Sequence, residues 1–226
     1  MVNVLAFDCA GRGCAAAVVA DGRVLARRSQ PMERGQAAAL LPMIEAVLGA
    51  AALGWPALDL LAVTVGPGGF TGVRIGLAAA RGLALARELP VIGITSFAAV
   101  AAAVPPPLRT GRTLAVALDS KRAEVYLQCF AASGAALGPG ELLALDAIDA
   151  RIPAGLVLLA GDAAERAAPF LFGRAAVAPA TEVPDPADIA RLALAEWRPG
   201  RRPPLPLPLY LRAPDTTAPR RAGAMP

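Results

Sequence analysis

The chain has 226 residues, a length that fits one large domain or two small ones. Hydrophobic residues make up 56% of it but aromatic residues only 4%, so the core must be built mainly from alanine, valine and leucine. The formal net charge is +4, and the absence of histidine excludes Ser-His-Asp and Cys-His catalysis and zinc sites that use histidine.

The first half of the chain predicts a mixed α/β domain. Residues 2–9 form an apolar run of strand length, and 13–29 read as two strands joined at Asp21 and Gly22, a strong hairpin signal. A helix over 36–51 follows, with a kink or a new start at the proline inside it. The remaining elements are a buried strand over 58–65, a helix over 73–89, a strand over 90–95 and a helix over 96–104 with Ser96 as its N-cap.

The second half repeats this order, which indicates a duplicated unit. Residues 105–112 hold three prolines and a glycine and mark the domain boundary. Two strands, 113–120 and 124–130, follow across a short polar turn. A helical piece over 146–151, a strand over 155–161, a helix from Asp162 and an amphipathic helix over 187–197 complete it. We therefore predict an N-terminal lobe over 1–104, a C-terminal lobe over 113–200 and a Pro/Arg-rich extended tail over 201–226.

Targeting signals are not expected. Asp8 interrupts the first apolar run, and the longest uncharged window, 89–108, contains four prolines, so neither a signal peptide nor a membrane span is predicted. Cys9, Cys14 and Cys129 are an odd number without metal-ligand spacing, which favours reduced, buried thiols. A cytoplasmic protein without membrane contact is expected.

The most distinctive stretch is GPGGFTGVRIG, residues 66–76. It lies between a predicted strand and a predicted helix, which is the topology of an anion cradle, and Thr71 is the expected N-cap. The spacing does not match a P-loop, no lysine follows, and Pro67 places a residue without N–H inside the turn. A nucleotide loop is therefore disfavoured.

The helix after this turn has two noteworthy sides. One carries the small residues Gly72, Gly76 and Ala79, which would let another backbone approach closely. The second is lined by Arg74, Ala78, Arg81 and Leu85. Periodicity alone favours packing of the small-residue side against the chain's own sheet over packing against a partner's helix.

Charged candidates are fewer. Asp8 stands before Gly11 and could hold a metal–phosphate complex, although an aspartate there more often caps the turn. A second charged group could form a site, but a solvated hairpin tip is favoured: Asp119, Lys121, Arg122 and Glu124. Arginines crowd the C-terminus, where a nucleic-acid contact is conceivable but a solvated tail is favoured: Arg198, Arg201, Arg202, Arg212, Arg220 and Arg221.

Several motifs together resemble the TsaB (YeaZ) family. They are RGQAAALLPMIEAVL, GPGGFTGVRIGLAAARGLAL, PVIGITSFAAVA, DSKRAEVYLQ and PLYLR, and the likeness covers most of residues 2–130 and recurs at 208–214. Members of the family are small subunits of the bacterial machinery that makes threonylcarbamoyladenosine in tRNA. The resemblance implies an actin/hexokinase-like (ASKHA) fold of two related lobes with mixed sheets flanked by helices.

The resemblance also implies partners and a non-catalytic role. The partner TsaD carries the metal and transfers the threonylcarbamoyl group beside the tRNA anticodon, the ATPase TsaE joins the pair, and tRNA is contacted only indirectly. Homodimerisation of the isolated subunit and ATP or ADP at the partner contact are left open, and no metal or cofactor of its own is implied.

The family's contact surface is carried over onto two helices. The implied interface residues are Leu40, Leu41, Ile44, Val47, Leu48, Val73, Arg74, Gly76, Leu77, Ala80 and Arg81, and Gly76→Trp or Leu77→Arg is expected to abolish association and leave the monomer folded. The motif turn is Gly66, Pro67, Gly68, Phe70, Thr71 and Gly72, and the nucleotide candidates are Asp8 and Gly11. Two residues depart from the family: Gly69 replaces a serine, and Gln36 stands where many members have histidine.

Two other functions remain as alternatives. A stand-alone ASKHA enzyme acting on ATP, or a glycoprotease-like hydrolase, predicts turnover that is sensitive to Asp8→Ala. A nucleic-acid binder that uses the arginine-rich tail predicts salt-sensitive tRNA affinity that disappears on truncation after Leu211.

Overall fold

The computed structural model describes residues 1–179, 181 and 183–212, and in it each half of the chain builds a five-stranded mixed sheet. The first sheet has the order β3-β2-β1-β4-β5, and the second has the order β10-β9-β6-β7-β8. In each sheet, the first three strands form an antiparallel meander. The fourth strand pairs in parallel with the first, and the fifth pairs in parallel with the fourth. The predicted duplication is confirmed.

The strands are β1 (Asn3–Asp8), β2 (Gly13–Ala20), β3 (Arg23–Pro31), β4 (Leu60–Thr64), β5 (Val91–Ile94), β6 (Thr113–Asp119), β7 (Val125–Phe130), β8 (Glu141–Leu143), β9 (Val157–Ala160) and β10 (Ala175–Val177). The helices are α1 (Gln36–Ala50), α2 (Phe70–Arg87), α3 (Ser96–Ala103), α4 (Pro106–Arg109), α5 (Ile148–Arg151), α6 (Ala164–Ala167) and α7 (Pro186–Glu196). The short strands β8 and β10 were not predicted, because three-residue strands leave no periodic signal.

The first sheet is covered on both faces. Helices α1 and α2 pack on one face and α3 and α7 on the other, so every residue of β2 and β4 is buried. Alanines dominate the middle of β2 and let the helices approach the sheet closely. The exposed edge strand β3 carries Arg23, Arg27 and Arg28, and such charges protect an edge from pairing with other chains.

The end of the chain returns to the first lobe. Ile189, Ala190 and Ala193 of α7 pack against the first sheet, although the predicted C-terminal lobe ran to residue 200. After α7 the described chain has no helix or strand; the Leu209 N–H donates to the Val65 carbonyl at 2.8 Å, and Arg81 donates to the Pro206 carbonyl at 2.7 Å. Arg220 and Arg221 lie outside the described residues.

Two predicted helix caps were wrong by one or two residues. Helix α3 is capped by Thr95, whose hydroxyl accepts from the Ala98 N–H at 3.1 Å, and not by Ser96. Helix α2 begins at Phe70 with Gly69 as its N-cap, so Thr71 lies inside the first turn. The proline in α1, Pro42, is accommodated within one continuous helix.

The turn at Asp21 and Gly22 takes positive φ at both residues, as the hairpin signal predicts. Of the three free cysteines, Cys9 and Cys14 are buried with their sulfurs 3.4 Å apart, whereas Cys129 is only partly buried. No helix in the described part of the chain is both long and apolar enough to cross a bilayer.

Candidate functional site

The glycine motif forms a tight connection between β4 and α2. Its Gly66–Pro67 peptide is cis, the Gly66 carbonyl accepts from the Ser96 N–H at 2.8 Å, and the Gly69 N–H donates to the Ala10 carbonyl at 2.9 Å. The turn is therefore tied to β5–α3 on one side and to the end of β1 on the other.

Two glycines of the motif are required by close backbone contact. A Cβ on Gly68 would overlap the Ala10 carbonyl, and one on Gly72 would overlap the Cys9 carbonyl. These glycines bring the motif against the turn after β1, which is a packing use of their small size. Gly69 differs, because a Cβ there would lie 3.7 Å from the nearest atom, so the serine that is usual in the family fits this backbone.

Asp8 caps the turn that follows β1. It is 1% exposed and accepts from the N–H groups of Ala10 at 2.9 Å and Gly11 at 3.3 Å and from the Thr64 hydroxyl. Burial raises the pKa of Asp8 above its ordinary value, and these hydrogen bonds act in the opposite direction. Asp8 therefore caps this turn, which is the more common role of an aspartate at such a position.

The cleft beside Asp8 is nearly closed. The cavity there has a volume of about 20 Å³ and is lined by residues of both lobes, among them Gly11, Ser96, Asp119 and Asp162. The Asp162 carboxylate accepts from the Asp119 N–H at 2.8 Å, and burial raises the pKa of Asp162. Small-molecule sites usually occupy roughly 300–1,000 Å³, so this cavity by itself is too small for a nucleotide. It adjoins a cavity of about 680 Å³ that Gly11 and Lys121 also line.

The raised pKa of Asp8 gives a pH-dependent prediction. Compared with Asp8→Asn, the wild type should lose free energy of unfolding as pH rises from below 3.8 through the pKa of the folded state, because the native state must then bury a charge. Urea unfolding of both proteins from pH 3 to pH 7 measures the difference. A difference that is constant across this range would contradict the raised pKa.

Eight of the eleven interface candidates are buried in the chain's own core. They are Leu40, Ile44, Val47, Leu48, Val73, Gly76, Leu77 and Ala80. Their side chains pack between the two helices and the first sheet, and a Cβ on Gly76 would lie 3.3 Å from Val63. These eight residues therefore do not form an accessible surface. A strong apolar period marks the side of a helix that faces its own sheet.

The other three candidates, Leu41, Arg74 and Arg81, are exposed. Leu41 lies on α1, whereas Arg74 and Arg81 lie on an outward side of α2 where Ala78 and Gly82 are also exposed and Leu85 is 86% exposed. A Cβ on Gly82 would meet nothing within 4 Å. We call the set Arg74, Ala78, Arg81, Gly82 and Leu85 the outer face.

An aromatic cluster lies at the start of α2 and was not predicted. The rings of Phe70 and Tyr210 have centroids 5.3 Å apart and are 46% and 40% exposed. The Arg74 guanidinium lies 3.7 Å from the Phe70 centroid and donates to the Tyr210 hydroxyl at 3.0 Å. Tyr210 is 136 residues from Arg74, so only the return of the C-terminal segment brings them together.

The charged hairpin tip between β6 and β7 faces the same region. Lys121 pairs with Asp119 at 3.2 Å, and Arg212 of the C-terminal segment pairs with Glu124 at 2.7 Å. The prediction of a merely solvated tip missed this second pair. Gln36, where many family members have histidine, donates to the Met32 carbonyl at 3.4 Å.

Comparison with known proteins gives a consistent result. The family model of TsaD, tRNA N6-adenosine threonylcarbamoyltransferase, matches residues 30–158. The Escherichia coli tRNA threonylcarbamoyladenosine biosynthesis protein TsaB is 38% identical over 126 residues, which cover 55% of this chain and 53% of that protein. The chain thus aligns with about half the length of this curated relative.

Solved structures extend the likeness to the whole fold. YeaZ from Pseudomonas aeruginosa superposes with a TM-score of 0.81 at 29% identity, over 93% of this chain and 100% of the other. The inorganic polyphosphate/ATP-glucomannokinase from Arthrobacter sp. strain KM superposes with a TM-score of 0.54 at 11% identity, over 87% and 100%. The second likeness concerns the fold alone, and it confirms the expected actin/hexokinase-like architecture.

Proposed function

The chain belongs to the TsaB (YeaZ) family, and we propose that it is a non-catalytic subunit that binds a TsaD-type protein and supports the formation of threonylcarbamoyladenosine next to the tRNA anticodon. In this proposal the TsaD-type protein carries the metal and performs the transfer. A TsaE-type ATPase joins the pair.

A non-catalytic role accords with the residues at hand. The sequence has no histidine, and among residues 1–179, 181 and 183–212 no three Cys, Asp or Glu side chains are grouped to hold a metal ion. Asp8 has the most buried carboxylate in the described part of the chain, and it accepts hydrogen bonds from the turn after β1 and from the Thr64 hydroxyl. The alternative of a stand-alone ATP-dependent enzyme has less support, because the Asp8 carboxylate on which it depends is buried and already accepts hydrogen bonds from Ala10, Gly11 and Thr64.

The outer face carries the proposal of partner binding. Ala78 and Gly82 lie one helical turn apart, so their small side chains leave room for another helix to approach α2 closely. Leu85 places an exposed apolar side chain on the same side of α2, together with Arg74 and Arg81. Exposed apolar groups with bordering arginines are typical of interface centres.

A charge placed on the outer face tests the proposal. We expect Leu85→Asp to weaken the binding of a purified TsaD-type partner at least about 30-fold, because a central interface position commonly contributes 2 kcal/mol or more. Leu156→Asp is the matched control, since Leu156 is 58% exposed but lies in the other lobe. Isothermal titration calorimetry gives both affinities.

The result has clear alternatives. Equal affinity of Leu85→Asp and the wild type would overturn the docking surface, and no binding of the wild-type chain would overturn the subunit function itself. Repeating the titration with and without ATP tests whether a nucleotide at the partner contact changes the affinity.

A further inference from the structure

A groove runs across the motif turn and adjoins the small cavity beside Asp8, with which it shares Gly69 and Lys121. Two cavities of about 680 and 520 Å³ meet there, and both are lined by Gly69, Phe70 and Lys121. The first extends to Met32–Ala37 at the start of α1, and the second extends to Leu209–Arg212. Joined end to end, they form a site that is longer than one small molecule needs.

The lining of this groove is basic. Arg12, Arg34, Lys121, Arg122 and Arg212 face it, against one acidic lining residue, Glu33. Asp119 and Glu124, which lie outside the lining, pair with Lys121 and Arg212 at 3.2 and 2.7 Å. Five basic side chains thus line the groove against one acidic side chain, and this imbalance favours an anionic ligand.

The Phe70 ring lines both cavities, and the Tyr210 ring lines the second. Phe70 and Tyr210 are each at least 40% exposed, and Arg74 holds them by contacting one ring and donating to the hydroxyl of the other. Exposed rings between basic side chains are how proteins hold single-stranded nucleic acid, with bases stacked on rings and phosphates near cations.

We propose that this groove binds an unpaired RNA segment directly, with a base stacked on the Phe70–Tyr210 pair and the flanking phosphates near Lys121, Arg34 and Arg12. The inference rests on the proposed function, because an RNA loop is the substrate of the complex to which this chain is assigned. It deepens that function, since the family resemblance alone implies only indirect contact with tRNA.

The test uses a fluorescein-labelled RNA hairpin with a seven-nucleotide unpaired loop and the full-length chain in fluorescence anisotropy. Tyr210→Ala should weaken binding by roughly 5- to 150-fold, the range for loss of one stacked base, whereas Tyr210→Phe should bind like the wild type. Lys121→Gln and Arg34→Gln together should lower the slope of log affinity against log salt by about 1.4, or roughly 0.7 for each phosphate contact.

Arg23→Gln is the control for non-specific charge, since Arg23 lies on the exposed edge strand β3. RNA affinity that is unchanged in Tyr210→Ala, or lowered equally by Arg23→Gln, would overturn the proposal. Titration of the same variants with the TsaD-type partner separates the two proposals. Loss of the partner with RNA binding intact would make the groove a protein contact and overturn the RNA site, whereas Leu85→Asp should lose only the partner.

Discussion

Leu77→Arg should unfold the protein rather than merely detach a partner. Leu77 is 4% exposed and packs in the core between α1, α2 and the first sheet. Removing a buried leucine costs roughly 2–5 kcal/mol, and an unpaired buried charge adds roughly 3–5 kcal/mol. Since whole domains are stable by about 5–15 kcal/mol, the loss is comparable to the total. Loss of far-UV circular dichroism and of a cooperative urea transition at 25 °C measures it.

Ala78→Arg is the matched control, because Ala78 is the next residue along α2 and is exposed. This substitution should change the free energy of unfolding by no more than about 0.5 kcal/mol, as surface substitutions usually do. Its arginine would fill the space beside Gly82, so binding of a TsaD-type partner should weaken. A folded Leu77→Arg variant that had lost its partner would restore Leu77 to the interface and contradict the packing described above.

The sequence predicted the two-lobed fold because its strongest signals are local. The hairpin at Asp21 and Gly22, the apolar runs of β4 and β9 and the proline break after residue 104 each report on neighbouring residues alone. The sheet against which α7 packs could not be predicted from such local signals. Its apolar side fits either sheet, and only tertiary packing places Ile189 on the first.

The site was predicted less completely, for a related reason. The family resemblance names the two helices that contact a partner but not which side of each helix does so, and Leu40 and Ile44, which it implies as interface residues, lie in the core. The exposed side of α2, with Arg74, Ala78 and Leu85, was visible in the sequence as a second stripe. The contact of Arg74 with Tyr210 was not visible in the sequence, because it forms only when the C-terminal segment packs back against the first lobe.

Gly72→Ala should destabilise the protein although it raises helix propensity. Alanine is favoured over glycine inside a helix by roughly 1 kcal/mol. At position 72 the added methyl would overlap the Cys9 carbonyl, and this backbone atom is held by the packing of β1 and cannot rotate away as a side chain would. Overpacking typically costs 1–3 kcal/mol and more when backbone must move, so the clash outweighs the gain in propensity.

Gly82→Ala in the same helix should have the opposite sign. A Cβ there meets nothing within 4 Å, so the propensity gain of up to about 1 kcal/mol remains. Urea unfolding of Gly72→Ala, Gly82→Ala and the wild type gives the change in the free energy of unfolding that the same added methyl group causes at each position. If Gly72→Ala were as stable as Gly82→Ala, Gly72 would not be needed for the close contact with Cys9, and the packing account of this glycine would be wrong.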